Sequence, residues 1–488
     1  MSRLPTDCLN EIFEYLEKDK DTLYSCLLVN RLWCKTSVRI LWRDGLDYNV
    51  WTYNTLVACL PNESKEILYD NGIIISTPTS NPPMFNYPAF CKMLSIIRVN
   101  FHIELLLLNQ QSISSQYSCN NVYIVSQEIY KLYMSQIISL KELSFYQFSD
   151  INFTIYPGAK YCLKNLKELR CSSNISKTFF YHLSQICHNL SLLNIIFKND
   201  ISEGLKDLIS VQKNLKYLII TQHDCYNLID IIPIITTKLP NTLIKLYLYR
   251  GGHYLQWSKC LNLQELELSF DYNDFKDFEI FQYIKFPKLQ ILKIQDSCPK
   301  YELLINFLEI NGKNLKELYV GDIAGDSDNL LNLSIAKFCI NLKKLSIGFK
   351  NNEMDTLKIV FNNCQYLESI KIWCGGEFLS EKEALEAVLK YSRNNVYELI
   401  LYHVYYVQSE LLPEELETFF INWSNRIPQK SISLIIINND DSSLDANDEN
   451  IKIIDKYYKL GIIKKFKVTG FDDEEFNLKS NKLLKIYD

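Results

Sequence analysis

The stretch Asn314-Leu315-Lys316-Glu317-Leu318-Tyr319-Val320 decides the fold, because the chain repeats it. Close copies read Asn165-Leu166-Lys167-Glu168-Leu169, Asn214-Leu215-Lys216-Tyr217-Leu218 and Asn341-Leu342-Lys343-Lys344-Leu345, and weaker ones fill the gaps. The first leucine-type position of each copy falls at 140, 166, 190, 215, 243, 263, 289, 315, 342, 367 and 396, a mean step of 25.6 residues. A near-constant period of this size means stacked units rather than one globular core. It also explains how 488 residues fold without the single large core that usually stops growing near ~250–300 residues.

Within a copy the apolar residues lie two apart, as in Leu266 and Leu268, Leu318 and Val320, or Leu345 and Ile347. That is the period of a strand with one face buried. Amphipathic stretches with helical spacing follow at 178–187, 302–310, 330–339 and 381–391. Strand plus helix, repeated, predicts a right-handed horseshoe with strands lining the inside. Beyond Val396 the register loosens, and Leu434 with Ile436 and Phe466 with Val468 predict two terminal units. Residues between the leucines point away from the core. Tyr217, Tyr247, Tyr249, Tyr319, Trp373 and Tyr402 are therefore the candidates for binding a partner on the concave face, since Tyr and Trp favour interfaces. Cys187, Cys260, Cys339 and Cys364 each stand three residues before a leucine-type position. In this the array resembles the cysteine-containing class of leucine-rich repeat, over roughly residues 140–468.

A hydrophobic fraction of 47% and a charged fraction of 22% describe an ordered, soluble protein. The net charge of −5 offers no broad cationic field, so general nucleic-acid binding is not expected. No apolar run approaches the ~18–20 residues of a membrane span, and the start lacks a signal peptide's apolar stretch. A cytoplasmic or nuclear location is expected. The 15 cysteines then read as small buried apolar side chains of a reducing compartment.

The first 44 residues have a different chemistry. Leu4-Pro5 precedes Leu9, Ile12, Phe13 and Leu16, an apolar stripe at helical spacing. After the charged break at 17–21, Thr22 is placed to cap a second helix carrying Leu23, Leu27 and Leu28. Asn30-Arg31-Leu32-Trp33 and Ile40-Leu41-Trp42-Arg43 follow. Three short helices cannot bury all these groups among themselves, and surplus apolar surface needs a covering partner. Leu4-Pro5, Ile12-Phe13 with Leu16, Leu28-Val29-Asn30-Arg31-Leu32-Trp33 and Leu41-Trp42 together closely resemble the F-box, with Asn30 replacing the commoner cysteine. The resemblance implies docking onto an Skp1-like adaptor and, through it, a cullin–RING ubiquitin ligase. It nominates Leu4, Pro5, Leu9, Ile12, Phe13, Leu16, Val29 and Trp33 for the contact or its support.

The expected fold is thus α/β, a leucine-rich-repeat solenoid at 139–488 preceded by a small three-helix F-box domain at 1–44. Between them, residues 45–138 read as a helical connector or degenerate first repeats. Stretches 54–69, 90–108 and 122–138 look helical, and Pro78, Pro82, Pro83 and Pro88 mark irregular chain. The segment 439–449 imitates a calcium loop but has Ala446 at the turn and Lys452 in place of the closing glutamate. The six histidines lie in no acid–base or metal motif, and Gly251-Gly252 and Gly375-Gly376 lack the spacing and lysine of a phosphate loop. The sequence therefore points to a non-catalytic adaptor with no cofactor and no metal, which holds an unidentified target protein. A small-molecule receptor and a scaffold that delivers no target stay open as alternatives.

Overall fold

The computed structural model describes residues 5–76, 83–110, 118–146, 152–198, 202–222, 241–249, 260–270, 278–321, 325–404, 407–428, 430–438 and 443–470. Leu4, Pro78, Pro82, Gly251-Gly252 and the tail from 471 lie outside them. The described residues divide into two compact units, one up to Thr242 and the other from Leu243.

The first unit opens with three helices, α1 (Thr6–Glu14), α2 (Lys20–Leu27) and α3 (Arg31–Leu41). Leu9, Phe13, Leu23, Cys26 and Ile40 form their core, with Leu16, Trp33 and Leu41 packed against it. Phe13 meets the Trp33 ring edge-on at 5.2 Å. The cap of α2 differs from expectation. Asp19 holds it, accepting from the Thr22 N–H at 3.1 Å and the Thr22 hydroxyl at 2.7 Å, because the helix starts two residues before Thr22. Asn30 caps α3, accepting from the Leu32 and Trp33 N–H groups at 3.0 Å each. An amide here does work that a cysteine could not.

The chain then passes directly into the repeat. Trp42 lies 4.3 Å from the Tyr87 ring, the Tyr48 hydroxyl donates to the Trp42 carbonyl at 2.6 Å, and the Lys92 N–H donates to the Arg43 carbonyl at 2.8 Å. The Arg43 guanidinium clamps Glu14 at 2.6 and 2.7 Å and reaches Glu17 at 3.0 Å. Gly45 is required at this joint, since a Cβ there would stand 2.3 Å from the Met93 carbonyl oxygen. Helices α4 (Val50–Ala58) and α5 (Asn62–Asp70) divide at Pro61, then come α6 (Ile96–Gln110) and α7 (Ser118–Gln136). Between α5 and α6 lies a strand the repeat phrase did not reveal, β1 (Met93–Ser95). It pairs in parallel with β2 (Glu142–Phe145), followed by β3 (Glu168–Ser172), β4 (Leu192–Phe197) and β5 (Tyr217–Gln222).

Among the described residues the second unit carries nine parallel strands: β6 (Lys245–Tyr249), β7 (Glu265–Ser269), β8 (Ile291–Gln295), β9 (Glu317–Val320), β10 (Lys344–Ser346), β11 (Ser369–Cys374), β12 (Glu398–His403), β13 (Ile432–Ile437) and β14 (Ile463–Thr469). Each of the helices Tyr301–Asn311, Asn329–Phe338, Met354–Asn363, Glu381–Tyr391, Pro413–Ser424 and Asp448–Lys459 packs on the next.

Register explains the phrase. Leu246, Leu266, Leu292, Leu318, Leu345, Ile370, Leu399 and Leu434 are successive partners across the ladder, each at most 2% exposed. Full burial of such a side chain contributes roughly 1.5–3 kcal/mol, so the column is the spine of the unit. Buried amides tie consecutive repeats. The Asn311 amide oxygen accepts from the Phe286 N–H at 2.7 Å, while its nitrogen donates to the Ile284 carbonyl at 2.9 Å and the Phe307 carbonyl at 3.1 Å. Gln212 does the same in the first unit, toward Leu190, Cys187 and Leu208. The cysteines of the Cys-x-x-Leu copies are buried, and burial pushes the Cys187 and Cys260 thiols up to about 11 and Cys364 up to about 12.

Candidate functional site

On the three N-terminal helices the nominated residues split into two groups. Leu9 and Phe13 are buried, and Leu16 and Trp33 are partly buried against them, so these four shape the helices. Pro5, Ile12 and Val29 are exposed. The structure adds neighbours that were not nominated: Tyr15, Tyr24, Leu28 and Leu32 are also exposed, Leu28 at 90%. Leu28 and Val29 form the turn before Asn30, where the cap directs α3 away and leaves both side chains in solvent. An aliphatic pair immediately before an N-cap was the available signal.

The strand face turned away from the leucine column is mostly polar and internally paired. In the first unit Arg170 bridges Glu142 at 2.9 Å and Glu168 at 3.5 Å; Tyr217, two strands further on, is half-buried. In the second, Glu265 receives Lys245 at 2.5 Å and Lys293 at 3.5 Å, and Lys293 also reaches Glu267 at 3.3 Å. Three nominated tyrosines turn their hydroxyls to these carboxylates. Tyr247 donates to Glu265 at 3.2 Å, Tyr249 to Glu267 at 2.6 Å and Tyr319 to Glu317 at 2.9 Å. Burial opposes ionisation of both Glu265 and Glu267. Lys245 and Lys293 outweigh it at Glu265, which titrates below the usual range, whereas at Glu267 burial prevails and the carboxyl titrates above it.

Trp373 and Tyr402 are brought together, with ring centroids 5.2 Å apart, but they are not displayed. Only 1% and 3% of their surfaces are exposed. Phe378 and Ile437 pack with them in one apolar cluster, which Ile400, Val404 and Ile435 border. The chain at Gly325 lies so close that a Cβ there would meet Trp373 at 2.7 Å. Tyr249 is likewise buried. The outward display expected of these three does not hold, because loops and neighbouring strands cover them. Tyr217, Tyr247 and Tyr319 are half-buried.

Beyond the ends of β11 and β12 lies a cavity of about 470 Å³, lined by Gly375, Gly376, Ser380, Glu381, Lys382 and His403 among others. His403 Nδ1 stands 3.4 Å from Glu381 Oε1, a charge contact rather than an aligned hydrogen bond, and Nε2 lies 2.5 Å from the Val407 carbonyl. Glu381 also accepts from the Ser409 hydroxyl and, at 3.1 Å, from the Leu444 N–H. Burial alone would depress the imidazole, but the Glu381 carboxylate and the Val407 carbonyl outweigh it and hold His403 above its ordinary value. Serine and histidine both lean on the carboxylate instead of on each other, so the trio ties three chain segments together and is not arranged as a nucleophile with its base. Among the described residues no group of three or more His, Cys, Asp or Glu side chains could hold a metal ion, and no helix is long and apolar enough to cross a membrane.

Residues 1–45 match the family described as F-box-like. Among solved structures, the leucine-rich repeat-containing protein LegL7 from Legionella pneumophila is similar at 15% identity and a TM-score of 0.37, over 56% of this chain and 92% of that one. TLR13, in its complex with ssRNA13, is similar at 17% identity and a TM-score of 0.37, over 70% of this chain and 44% of that one. No curated protein matches. The chain carries an F-box-like domain at its N-terminus, followed by parallel strand–helix repeats of the leucine-rich type.

Proposed function

We propose that the protein is a substrate-recognition subunit of an SCF-type ubiquitin ligase, with no chemistry of its own. It binds an Skp1-like adaptor through the N-terminal helices and a target protein through the strand face of the repeats. Its contribution to ubiquitin transfer is proximity, holding the target near a separately carried ubiquitin-charged enzyme. The observation that carries this reading is the exposed apolar surface of Ile12, Leu28, Val29 and Leu32 within the F-box-like segment. Contact is assigned to these residues with Pro5, and support to Leu9, Phe13, Leu16 and Trp33. For the target, Tyr217, Tyr247 and Tyr319 are the accessible candidates, while Tyr249, Trp373 and Tyr402 stiffen the surface from beneath.

The test is affinity purification of the whole chain beside an Ile12→Asp/Leu28→Asp variant. Loss of a buried interface anchor costs about 2 kcal/mol or more, and a charge in its place costs further. Skp1 and cullin should vanish from the variant while the target protein stays. Wild-type recovery of Skp1 would sink the adaptor reading.

A further inference from the structure

On β6 to β10 the lysines of the strand face near the ladder's centre each meet a glutamate: Lys245 and Lys293 on Glu265, Lys344 on Glu317. One place breaks this rule. At the N-terminal ends of β7 to β10 a groove of about 520 Å³ is lined by Lys288, Lys313, Lys316 and Lys343, and among the described residues no aspartate or glutamate is in its lining. Gln264, Gln290, Lys316 and Lys343 occupy equivalent positions on successive strands, joined by Gln290 N–H to Gln264 carbonyl at 2.8 Å and by two further bonds of 2.7 Å. Neighbouring side chains in that row therefore repeat at the strand spacing of about 4.8 Å.

The two asparagines of the groove are already engaged in structure. Asn314 donates to the Pro287 carbonyl at 3.1 Å and Asn341 to the Lys313 carbonyl at 2.9 Å, while Lys288 donates to Asn262 at 2.6 Å. Lys343 pairs with Glu368 at 2.8 Å, just outside the groove. The Lys313 and Lys316 ammonium groups are exposed and have no carboxylate or hydrogen-bond partner among the described residues. Tyr366, largely exposed, and Pro287 supply an apolar floor beside them.

We propose that this groove is a second docking surface, separate from the strand face, and that its occupant is an extended acidic segment of a partner protein. Charge complementarity fixes the sign of the ligand. An extended peptide places same-side carboxylates about 6.6–7 Å apart, a span that flexible lysines on rows 4.8 Å apart can follow. The cations are all lysines, point charges that accept a carboxylate from any direction. A nucleic-acid track would call instead for arginine and for a run of stacking rings, and among the described residues the lining holds no arginine and one tyrosine. The proposal does not depend on the adaptor reading, because it concerns residues 264–366 alone.

The test uses the full chain and a fluorescein-labelled alternating glutamate–alanine peptide of about eight residues, followed by fluorescence anisotropy at about 50 mM salt. A peptide with glutamine in place of glutamate is the control ligand. Lys177→Glu/Lys459→Glu, at two exposed lysines elsewhere, controls for net charge. The acidic peptide should bind, the glutamine peptide should not, and Lys313→Glu/Lys316→Glu should weaken binding at least about tenfold against under about threefold for the control reversal. No binding to the wild-type chain overturns the proposal. So does equal weakening by the two reversals, or tighter binding of a single-stranded oligonucleotide of the same charge.

Discussion

Replacing Asn311 by leucine removes the amide that joins two repeats while changing the side-chain volume little. The loss can be worked from the geometry. The Phe286 N–H loses its 2.7 Å acceptor and the Ile284 carbonyl its 2.9 Å donor. Asn311 is 1% exposed, so no solvent replaces them. A buried backbone group left unsatisfied costs about 1–3 kcal/mol, and the added apolar burial of leucine returns about 1–2 kcal/mol. Two such groups at about 2 kcal/mol each, less about 1.5 kcal/mol for the leucine, leave a net destabilisation of about 2.5 kcal/mol. In a repeat protein it should stay local, since each unit leans only on its neighbours. A global unfolding midpoint is therefore the wrong readout for a chain this long. Native-state hydrogen exchange of peptides covering 284–311 is the right one, and protection there should fall by about 60-fold. Asn314→Ala, which removes one exposed bond of 3.1 Å, should change exchange by less than about fivefold. Protection in Asn311→Leu within about threefold of wild type would refute the reasoning, as would an equal loss around Gln212.

Three further outcomes are expected. Phe13→Ala empties the core beneath the N-terminal helices and should destabilise them by about 3–5 kcal/mol; Leu28→Ala should leave their exchange rates unchanged yet still weaken Skp1 binding, and matched behaviour of the two variants would remove the distinction between core and contact. The raised His403 pKa makes its contribution to stability complete below the ordinary histidine value near 6.5 and lost as pH rises through the higher folded value. Exchange around 398–411 should thus quicken from pH 6 toward pH 9 after correction for intrinsic rates, and a His403→Gln variant with the same slope would contradict this. Thiol labelling of the folded chain near pH 8 should be fast at exposed Cys8 and slow at Cys187 and Cys364, whose burial pushes them to about 11 and about 12; comparable rates at Cys364 and Cys8 would show that the repeat core opens.

The repeat was legible because its physics is periodic. One leucine column serves every strand, so each copy of the phrase restates the same burial requirement, and the helix at 381–391 was located with its bounds unchanged. What escaped was set by single contacts. β1 is three residues long and flanked by helices, too short to show alternation. Asp19 instead of Thr22 caps α2 because its carboxylate, three residues earlier, accepts from the Thr22 N–H and so starts the helix before Thr22. The strand pattern places Trp373 and Tyr402 on the outward face, correctly as to side, but Phe378 and the chain at Gly325 close over the Trp373 ring. Coverage by a loop leaves no periodic trace. The split of the N-terminal stripe into core and contact depended in the same way on helix packing, which spacing alone does not resolve.

The joint at Trp42, Arg43 and Gly45 gives the first unit a further property. Ring packing, a main-chain hydrogen bond and a guanidinium clamp are combined there within a few residues, and the glycine leaves no space for rearrangement. For a ligase adaptor, such a stiff coupling converts geometry into choice. Under the adaptor function proposed above, a target held on the first strands would present its lysines along a fixed bearing from the N-terminal helices, so position on the target's surface, rather than local sequence, would select the lysine that is modified.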